Sequence, residues 1–290
     1  MRTELEAAPT PIVKWVGGKR QLQSSLMPLL EQNVDWDTAT YFEPFFGGGA
    51  MLLALQPERA HFSDLNVALV NMYEFVRDAP REFGRKLREY EERYNSLDFD
   101  DAKLLYLSER DIFNSYERTG LDMAARFVFL NKAGFNGMYR ENAAGGLNIP
   151  FGKRSRIALG EQSNIDAVSR VLRGVQMHLQ DYSKTVEKAV AGDVVYFDPP
   201  YAPLTATSSF TGYTAEGFDG DAQEALRDLA LELTERQVRV VVSNSSAEHI
   251  RTLYQEFQVQ EVIASRAISA SAKGRAPVKE LIMTNFEMLK

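Results

Sequence analysis

The stretch "VVYFDPPYAPLTATSSF", residues 194–210, places an acid and a stiff turn directly after a short apolar run. Val194 to Phe197 are β-branched or aromatic, and the run is too short for a helix, so it predicts a buried strand. Pro199 and Pro200 end that strand, because proline fixes φ and has no N–H to donate. Asp198 is therefore expected at the carboxyl end of a strand, on a rigid backbone.

Composition sets the outer limits. The 290 residues are 44% hydrophobic, which is typical of a globular protein with one large domain and an insertion. The absence of cysteine excludes disulfides and thiolate metal sites and fits a reducing compartment. No apolar run reaches the roughly 18 residues of a membrane span, and "MRTELEAAPTPI" lacks the apolar centre of a signal peptide. A cytoplasmic protein without membrane contact is expected.

The charge is unevenly distributed. A formal net charge of −7 argues mildly against a nucleic-acid partner. Two segments are nevertheless basic, and their cations are Lys132, Arg140, Lys153, Arg154 and Arg156 in the first and Arg266, Lys273, Arg275 and Lys279 in the second. Two basic segments on an acidic body suit a polyanion bound to one face, although solvated loops explain the charge equally well.

Strand and helix patterns alternate along the chain, with one interruption. Strands are predicted at "TYFEPFF", "AHFSDLN", "VQMHLQD", residues 194–198, "VRVVVSNSS" and "FQVQEVIASRA", and helices at "VALVNMYEFVRD" and "AQEALRDLALELTER". This alternation predicts an α/β fold with a doubly wound, mostly parallel, Rossmann-like sheet. Residues 1–76 and 165–290 form the predicted catalytic domain, and 77–164 a helical insertion.

A glycine turn follows the first predicted strand. Gly47 to Gly49 lead into the helix that starts at Ala50, and a chain that passes close to a ligand there needs residues without Cβ. Asp64 ends the next strand at about the offset where nucleotide-binding folds place a ribose-binding carboxylate. The glycines alone also fit a plain tight turn. Together with Asp64 and the D-P-P-Y turn, they indicate a ligand site at the carboxyl ends of the strands.

These motifs carry a family resemblance. "KWVGGK" at 14–19, "EPFFGGGA" at 43–50, "FLNKAGFNGMYRENAAGGLNIPFGK" at 129–153, "DPPY" at 198–201 and "RAISASAKGRAPVKELI" at 266–282 resemble the Dam-type N6-adenine DNA methyltransferases, in the same order. The resemblance extends from Lys14 to about Leu281. It implies S-adenosylmethionine as the methyl donor, S-adenosylhomocysteine as the product, duplex DNA as the substrate and GATC as the target.

The chemistry of adenine fits the D-P-P-Y turn. The exocyclic nitrogen is a poor nucleophile because its lone pair is delocalised into the ring. Asp198 and the Pro199 carbonyl can accept its two hydrogens and direct the lone pair at the methyl group for direct in-line transfer. Tyr201 is expected to stack on the adenine once the base has left the duplex, and Pro200 adds rigidity. The structural alternatives to these catalytic roles are that Asp198 caps the next turn and that Tyr201 packs in the core.

The resemblance also implies a donor site. Lys19 is expected to neutralise the methionine carboxylate and Trp15 to line the pocket. Asp181 either approaches the adenosine ring or takes no part in donor binding. Glu43 is either a donor contact or a solvent-facing acid at a strand end. The complete set of expected donor-binding residues is Trp15, Lys19, Glu43, Phe46, Gly47, Gly49, Asp64, Asp181 and Asp198. The three histidines are scattered without metal-ligand spacing, so no metal is expected.

Arg140, in "NGMYREN", matches the family's base-reading arginine, and arginine pairs bidentately with guanine O6 and N7. Phe135 stands where the family has an aromatic residue that enters the base stack, although an ordinary core position is the alternative. Asn136, Met138 and Pro150 occupy other expected base-contact positions. Phe at 135, Met at 138 and "AAGG" before Leu147 depart from the enterobacterial pattern. Arg266, Lys273 and Arg275 are expected to contact phosphates. Such contacts position the protein on DNA without reading its sequence.

Two other functions stay open at this stage. The same chemistry can act on RNA or single-stranded DNA, and a protein of this fold can bind DNA without catalysis. The intact D-P-P-Y turn favours an enzyme. A restriction endonuclease partner in the same system is possible, no obligate protein partner is evident, and action on DNA associates the protein with the nucleoid.

Overall fold

The computed structural model describes residues 9–15, 22–203, 218–264 and 278–287. The elements, in chain order, are α1 (Gln23–Asn33), β1 (Tyr41–Glu43), α2 (Ala50–Leu55), β2 (Ala60–Asp64), α3 (Val67–Asp78), α4 (Pro80–Asn95), α5 (Phe99–Ser115), α6 (Leu121–Ala133), a 3-10 turn (Phe135–Gly137), α7 (Gln162–Leu172), β3 (Val175–Leu179), α8 (Tyr182–Val186), β4 (Val194–Phe197), α9 (Gly220–Glu235), β5 (Arg239–Ser245), α10 (Glu248–Leu253), β6 (Gln258–Ala264) and β7 (Val278–Thr284).

The strands form one sheet of mostly parallel character. Its order is β3-β2-β1-β4-β5-β7-β6. The first five strands of this order are parallel, and only β7 runs antiparallel, between β5 and β6. The predicted fold class is confirmed. Strand β7 was not predicted, because the lysine and glutamate at its start made "VKELIMT" read as part of a basic segment.

Side-chain alternation along each strand gives the sheet two apolar faces. On β4, Val194 and Tyr196 join one buried cluster, which also includes residues of α1, α3 and α7. Val195 and Phe197 join a second cluster with α9 and α10. Helices therefore cover both faces, as a doubly wound sheet requires.

The insertion is helical, as its sequence predicts. Helix α6 packs against α3 and α4, and its apolar residues are buried almost all round. Buried aromatics of the insertion, such as Phe83 and Tyr106, belong to the same continuous cluster as Val194 of the sheet. The insertion is thus built onto one face of the sheet. The division at 77–164 stays a proposal about function.

Local chemistry sets where the elements around the site begin and end. Strand β1 ends at Glu43, three residues before the predicted end, because Pro44 cannot donate to a ladder. Asn66 caps α3 by accepting from the Leu69 amide at 3.0 Å, and this helix has the predicted bounds. Asp219 caps α9 in the same way through the Ala222 amide. Among the described residues, no helix is both long and apolar enough to cross a membrane.

Candidate active site and nucleic-acid interface

The carboxyl ends of the parallel strands collect polar side chains along one edge of the sheet. Asp64 ends β2, Glu43 ends β1 and Asp198 follows β4. Strand β1 lies between β2 and β4, so the chain order reverses between β1 and β4. Open α/β sheets bind their ligands outside the strand ends at such a switch point. The sequence-predicted glycine turn and D-P-P-Y turn flank this point from either side.

The glycine turn is shaped by two aromatic side chains. Gly47 and Gly49 have φ of 52° and 65°, a backbone conformation that strains residues other than glycine. A Cβ on Gly47 would lie 2.7 Å from the Trp15 ring, and one on Gly49 would lie 2.3 Å from the Phe46 ring. Trp15 therefore lies against the turn, and its role in lining a donor pocket stays a prediction. The Phe46 side chain is 3% exposed and stacks on Phe62 in the core, so its ring supports the turn from below.

Asp64 is tied to the same turn. One carboxylate oxygen accepts from the Gly47 amide at 3.0 Å, and the other accepts from the Asn66 amide at 2.9 Å. Burial raises the pKa of the Asp64 carboxyl, and these amides oppose that rise. Asp64 thus holds the glycine turn in shape. The next residue, Leu65, is 58% exposed, so the surface of the protein begins directly after the end of β2.

Glu43 is a buried acid, not a solvent-facing one. Its side chain is 3% exposed, and one oxygen accepts from the Tyr41 hydroxyl and from the Leu52 amide, each at 3.0 Å. Burial, with repulsion from Asp198, raises the pKa of Glu43 to about 8. Burial, more than the charge of Asp198, therefore favours the protonated form of Glu43 at neutral pH.

The D-P-P-Y turn is held by side chains from neighbouring elements. Ser243 of β5 donates to Oδ1 of Asp198 at 2.8 Å. Gln223 of α9 donates to the Pro200 carbonyl at 3.0 Å, and its amide oxygen accepts from Asn244 at 2.9 Å. Asn244 in turn accepts from the Ala202 amide at 3.2 Å. The backbone that follows Asp198 is therefore pinned on two sides.

Tyr201 is anchored at its hydroxyl. It donates to Oε2 of Glu280 on β7 at 2.8 Å, and the side chain is half-buried. Burial, followed by the charges of Asp198 and Glu280, raises the pKa of Tyr201 well above its usual value. The phenol stays protonated, as its role as a donor to Glu280 requires.

Asp181 caps a helix. Its Oδ1 accepts from the amide and the hydroxyl of Ser183 at the start of α8, at 2.9 and 2.6 Å. Asp181 thus lies just beyond the carboxyl end of β3, and its contact with the methyl donor stays a prediction. The sheet also brings together two histidines that sequence left scattered, since His61 Nδ1 lies 3.5 Å from His178 Nε2. Within the described part of the chain, no group of three potential ligands is arranged to hold a metal ion.

Four of the predicted base-reading residues lie in a turn after α6, in which Phe135 and Arg140 are exposed. Phe135 is 41% exposed, so it is not a core residue. Asn136 has φ of 56°, and the Phe135 amide donates to the Pro150 carbonyl at 2.9 Å. Met138 is half-buried behind the turn. We call residues 134–140 the recognition turn.

Arg140 ends the recognition turn and is exposed. Its guanidinium donates to the Asn148 carbonyl at 3.1 Å, and the Asn148 amide donates back to the Arg140 carbonyl at 2.9 Å. Arg118 of the insertion fixes the neighbouring loop through Tyr139 and Glu141. Arg140 is thus an accessible cation on a supported backbone.

A single buried amide joins the recognition turn to the N-terminal segment. Asn131 of α6 accepts from the Lys14 amide at 2.9 Å, and its Nδ2 donates to the Lys14 carbonyl at 2.8 Å and to the Gly137 carbonyl at 3.0 Å. Trp15 stacks on Tyr139, with ring centroids 5.4 Å apart. The segment that packs on the glycine turn therefore also packs on the recognition turn.

The D12 class N6 adenine-specific DNA methyltransferase family matches residues 15–268 of the chain. The chain belongs to this family. The Type II methyltransferase M1.LlaDCHI of Lactococcus lactis subsp. cremoris is 35% identical over 285 residues, which cover 95% of each chain. The DNA adenine methylase of Vibrio cholerae O1 (strain O395) is 32% identical over 271 residues, 93% of this chain and 94% of that one. The DNA adenine methylase of Escherichia coli K12 is 30% identical over 270 residues, 93% of each.

Family membership makes the protein an N6-adenine DNA methyltransferase, and the family implies S-adenosylmethionine as its donor. Sequence reasoning did not identify four residues that support the methyltransferase site. These are Asn131, Gln223, Ser243 and Glu280. "VVVSNSS" held one available signal, since polar residues at the carboxyl end of a buried parallel strand face the ligand edge.

Four predicted site residues lie outside the described part of the methyltransferase. They are Lys19, Arg266, Lys273 and Arg275. Their assigned roles stay predictions.

Proposed function

We propose that this methyltransferase acts on adenine within GATC in duplex DNA, by turning the base out of the helix and transferring the methyl group directly. One observation carries the proposal. Asp198 stands at the strand-order switch point, across from the glycine turn, on a backbone pinned by Gln223 and Asn244. A transfer that needs two aligned groups requires this kind of fixed geometry.

The donor fits the charges at the sheet edge. S-adenosylmethionine supplies a methyl group on a positively charged sulfur, which makes that carbon electrophilic. Glu43, Asp64 and Asp198 lie at or just beyond the ends of three adjacent strands. A cationic ligand at this edge would offset their negative charge and favour the ionised form of Glu43, against the burial that raises its pKa. Asp64 and the Gly47 backbone would hold the nucleoside end, and Trp15 would line the pocket.

Other donor contacts belong to the same proposal. Lys19 would neutralise the donor's carboxylate, Asp181 would approach the adenosine, and Gly49 and Phe46 would shape the turn. No metal takes part in the proposed transfer.

The acceptor would be held by the D-P-P-Y turn. Asp198 and the Pro199 carbonyl would accept the two amino hydrogens of adenine, so that its nitrogen lone pair points at the methyl group. Tyr201 would offer its ring face to the flipped base, while its hydroxyl stays bonded to Glu280. The proton lost from the amino group after transfer would leave through the carboxylate of Asp198.

The insertion, residues 77–164, would read the sequence. Arg140 is exposed on a supported loop and would pair with a guanine, while Phe135 would enter the base stack at the recognition turn. Asn136, Met138 and Pro150 would add contacts beside them. Arg266, Lys273 and Arg275 would bind phosphates. We further propose that the protein works in the cytoplasm at the nucleoid.

A restriction partner is a separate question. Relatives carry two kinds of name, "Type II methyltransferase" and "DNA adenine methylase", and the chain is similar to both. A restriction endonuclease of the same specificity is therefore the partner that we propose for a role like that of the Type II methyltransferases.

The decisive experiment is methyl transfer from tritiated S-adenosylmethionine to matched duplex DNA, single-stranded DNA and RNA. We expect label in duplex DNA containing GATC and at least tenfold less in the other two substrates. Digestion with endonucleases that differ in sensitivity to GATC methylation then reports the site. Equal labelling of duplexes with and without GATC would reject the target, and label in RNA alone would reject the substrate.

A further inference from the structure

The catalytic aspartate belongs to a chain of three hydroxyl and carboxylate groups. Ser243 Oγ lies 2.8 Å from Oδ1 of Asp198 and 3.0 Å from the Tyr196 hydroxyl. Both Ser243 and Tyr196 are fully buried. The parallel register of β4 and β5, with Phe197 opposite Val242, places Asp198 beside Ser243 one residue further on.

The direction of this chain follows from its protons. An ionised carboxylate has none to give, so Ser243 donates its single hydroxyl hydrogen to Asp198. Tyr196 must then be the donor in the second bond, because Ser243 has no further hydrogen. The order is Tyr196 to Ser243 to Asp198, and every donor points toward the carboxylate.

Backbone rigidity does not fix the carboxylate itself. The prolines, Gln223 and Asn244 hold the main chain of the turn, but the terminal torsion of an aspartate is broad. Rotation of that torsion changes the direction from which its oxygens accept hydrogens. A hydrogen bond from a buried hydroxyl, which is itself held by a second one, restricts this rotation.

We propose that Ser243 is a positioning residue for methyl transfer: it sets the orientation of the Asp198 carboxylate, and Tyr196 acts on that carboxylate only through Ser243. This rests on the proposed role of Asp198 in holding the adenine amino group. Ser243 itself touches neither substrate nor donor in the proposed reaction. Its effect should fall on the transfer step and leave both binding steps largely unchanged.

The test is a double-mutant cycle read by single-turnover methyl transfer with enzyme in excess over duplex DNA. Ser243→Ala should lower the rate about 10- to 100-fold, the scale expected for loss of alignment. Tyr196→Phe should lower it less, and the double variant should match Ser243→Ala, since the hydrogen-bond chain from Tyr196 reaches Asp198 through Ser243. Affinities for S-adenosylmethionine and for DNA should stay within about threefold of wild type, as expected if only the transfer step changes.

Two comparisons separate positioning from packing. Ser169 on α7 is another buried serine, and its hydroxyl donates to the Arg77 carbonyl at 3.1 Å. Ser169→Ala removes that hydroxyl and should leave the transfer rate unchanged. Ser243→Thr keeps the hydroxyl and should recover most of the rate lost in Ser243→Ala. If Ser243→Ala does not fold, a reduced transfer rate in Tyr196→Phe at unchanged affinities still supports the chain, and a wild-type rate overturns it.

The proposal is overturned if Ser243→Ala transfers within twofold of wild type, or if the losses from Tyr196→Phe and Ser243→Ala multiply in the double variant. Asp198→Ala, run in parallel, tells this failure from failure of the proposed function. An inactive Asp198→Ala beside a fully active Ser243→Ala rejects only the positioning role. A fully active Asp198→Ala rejects the function assigned to the turn.

Discussion

The D-P-P-Y turn and the recognition turn are both short loops at the ends of regular elements, yet they are held in different ways. Side chains from three other elements hold the first: Gln223 from α9, the Ser243–Asn244 pair from β5, and Glu280 from β7. The recognition turn carries a 41% exposed Phe135 and a left-handed Asn136, and its main anchor is Asn131.

The difference fits the role proposed for each turn. Methyl transfer needs donor and acceptor atoms held within fractions of an ångström, which suits a D-P-P-Y turn that is held at both its backbone and its carboxylate. Base reading needs side chains that enter a groove or a base stack, so the recognition turn must leave them exposed. We therefore expect mutations in the first turn to change the rate of transfer, and mutations in the second to change the choice of sequence.

The largest effect is expected at Asp198. In the proposed reaction Asp198 accepts from the adenine amino group, so Asp198→Ala should lower methyl transfer below detection, by at least about a thousandfold, as expected when a central polar group of an active site is removed. Duplex affinity, measured by fluorescence anisotropy, should stay close to wild type, because the recognition turn is intact.

Asp228→Ala is the matched control, since it truncates an exposed aspartate on α9 that pairs only with its neighbour Arg227 in the described structure. It should transfer at the wild-type rate. Turnover of Asp198→Ala within tenfold of wild type would contradict the role proposed for the D-P-P-Y turn in methyl transfer.

The contrast also shows what sequence reasoning can reach. The existence of most strands, the glycine turn and the place of Asp198 directly after β4 were predictable, because prolines, glycines and apolar runs determine the backbone locally. Strand β7 and the partners Gln223, Glu280 and Asn131 were not, because they are brought to the site by pairing and packing over long sequence separations. Glu43 shows the same limit. Its position was predicted, but its burial depends on the Leu52 amide and Tyr41 that enclose it.

The next effect is expected at Arg140. A bidentate arginine–guanine pair contributes roughly 1–3 kcal/mol of discrimination between bases. Arg140→Ala should therefore lower kcat/KM on the preferred site more than on sites altered at one base, which narrows the gap between them. Measurements over a panel of single-base variants at fixed salt check this.

Lys273→Ala and Arg275→Ala provide the contrast for Arg140. Loss of a phosphate contact should weaken binding to all duplexes alike and flatten the salt dependence, because fewer counterions are released. Equal loss on every sequence in Arg140→Ala would mean that this arginine does not read bases.

Asn131 tests whether the recognition turn depends on its anchor. Asn131→Ala leaves the Lys14 amide and the Lys14 and Gly137 carbonyls without this partner. The bond to Gly137 is buried, and an unsatisfied buried group costs about 1–3 kcal/mol. We expect a drop of this order in the free energy of unfolding, with reduced discrimination between sites.

Asn164→Ala is the matched control for Asn131. Asn164 also clasps the N-terminal segment, accepting from the Thr10 amide at 2.8 Å and donating to its carbonyl at 3.0 Å, but it does not contact the recognition turn. It should destabilise the fold without changing discrimination. The same loss of discrimination in both variants would show that the effect comes from the N-terminal segment rather than from the recognition turn.

The last effect is expected at Glu43, and it concerns the pH dependence of stability rather than the rate of transfer. Burial raises the pKa of Glu43 from 4.5 to about 8 in the folded protein. Between these values the unfolded chain has lost a proton that the folded chain retains, so the free energy of unfolding falls as pH rises. One proton gives a slope of at most about 1.4 kcal/mol per pH unit. The decline should end above about pH 8, where Glu43 is ionised in both states.

Glu43→Gln removes this titration, so urea unfolding between pH 5 and pH 8 should show a shallower decline than in wild type. Glu224→Gln makes the same side-chain change at an exposed position on α9 and should keep the wild-type slope. Saturating S-adenosylmethionine provides the link to the site, because a cation beside Glu43 favours its ionised form and should also flatten the wild-type profile. A steep decline that persists in Glu43→Gln would assign the proton to another group and remove the charge argument for a cationic donor at this edge.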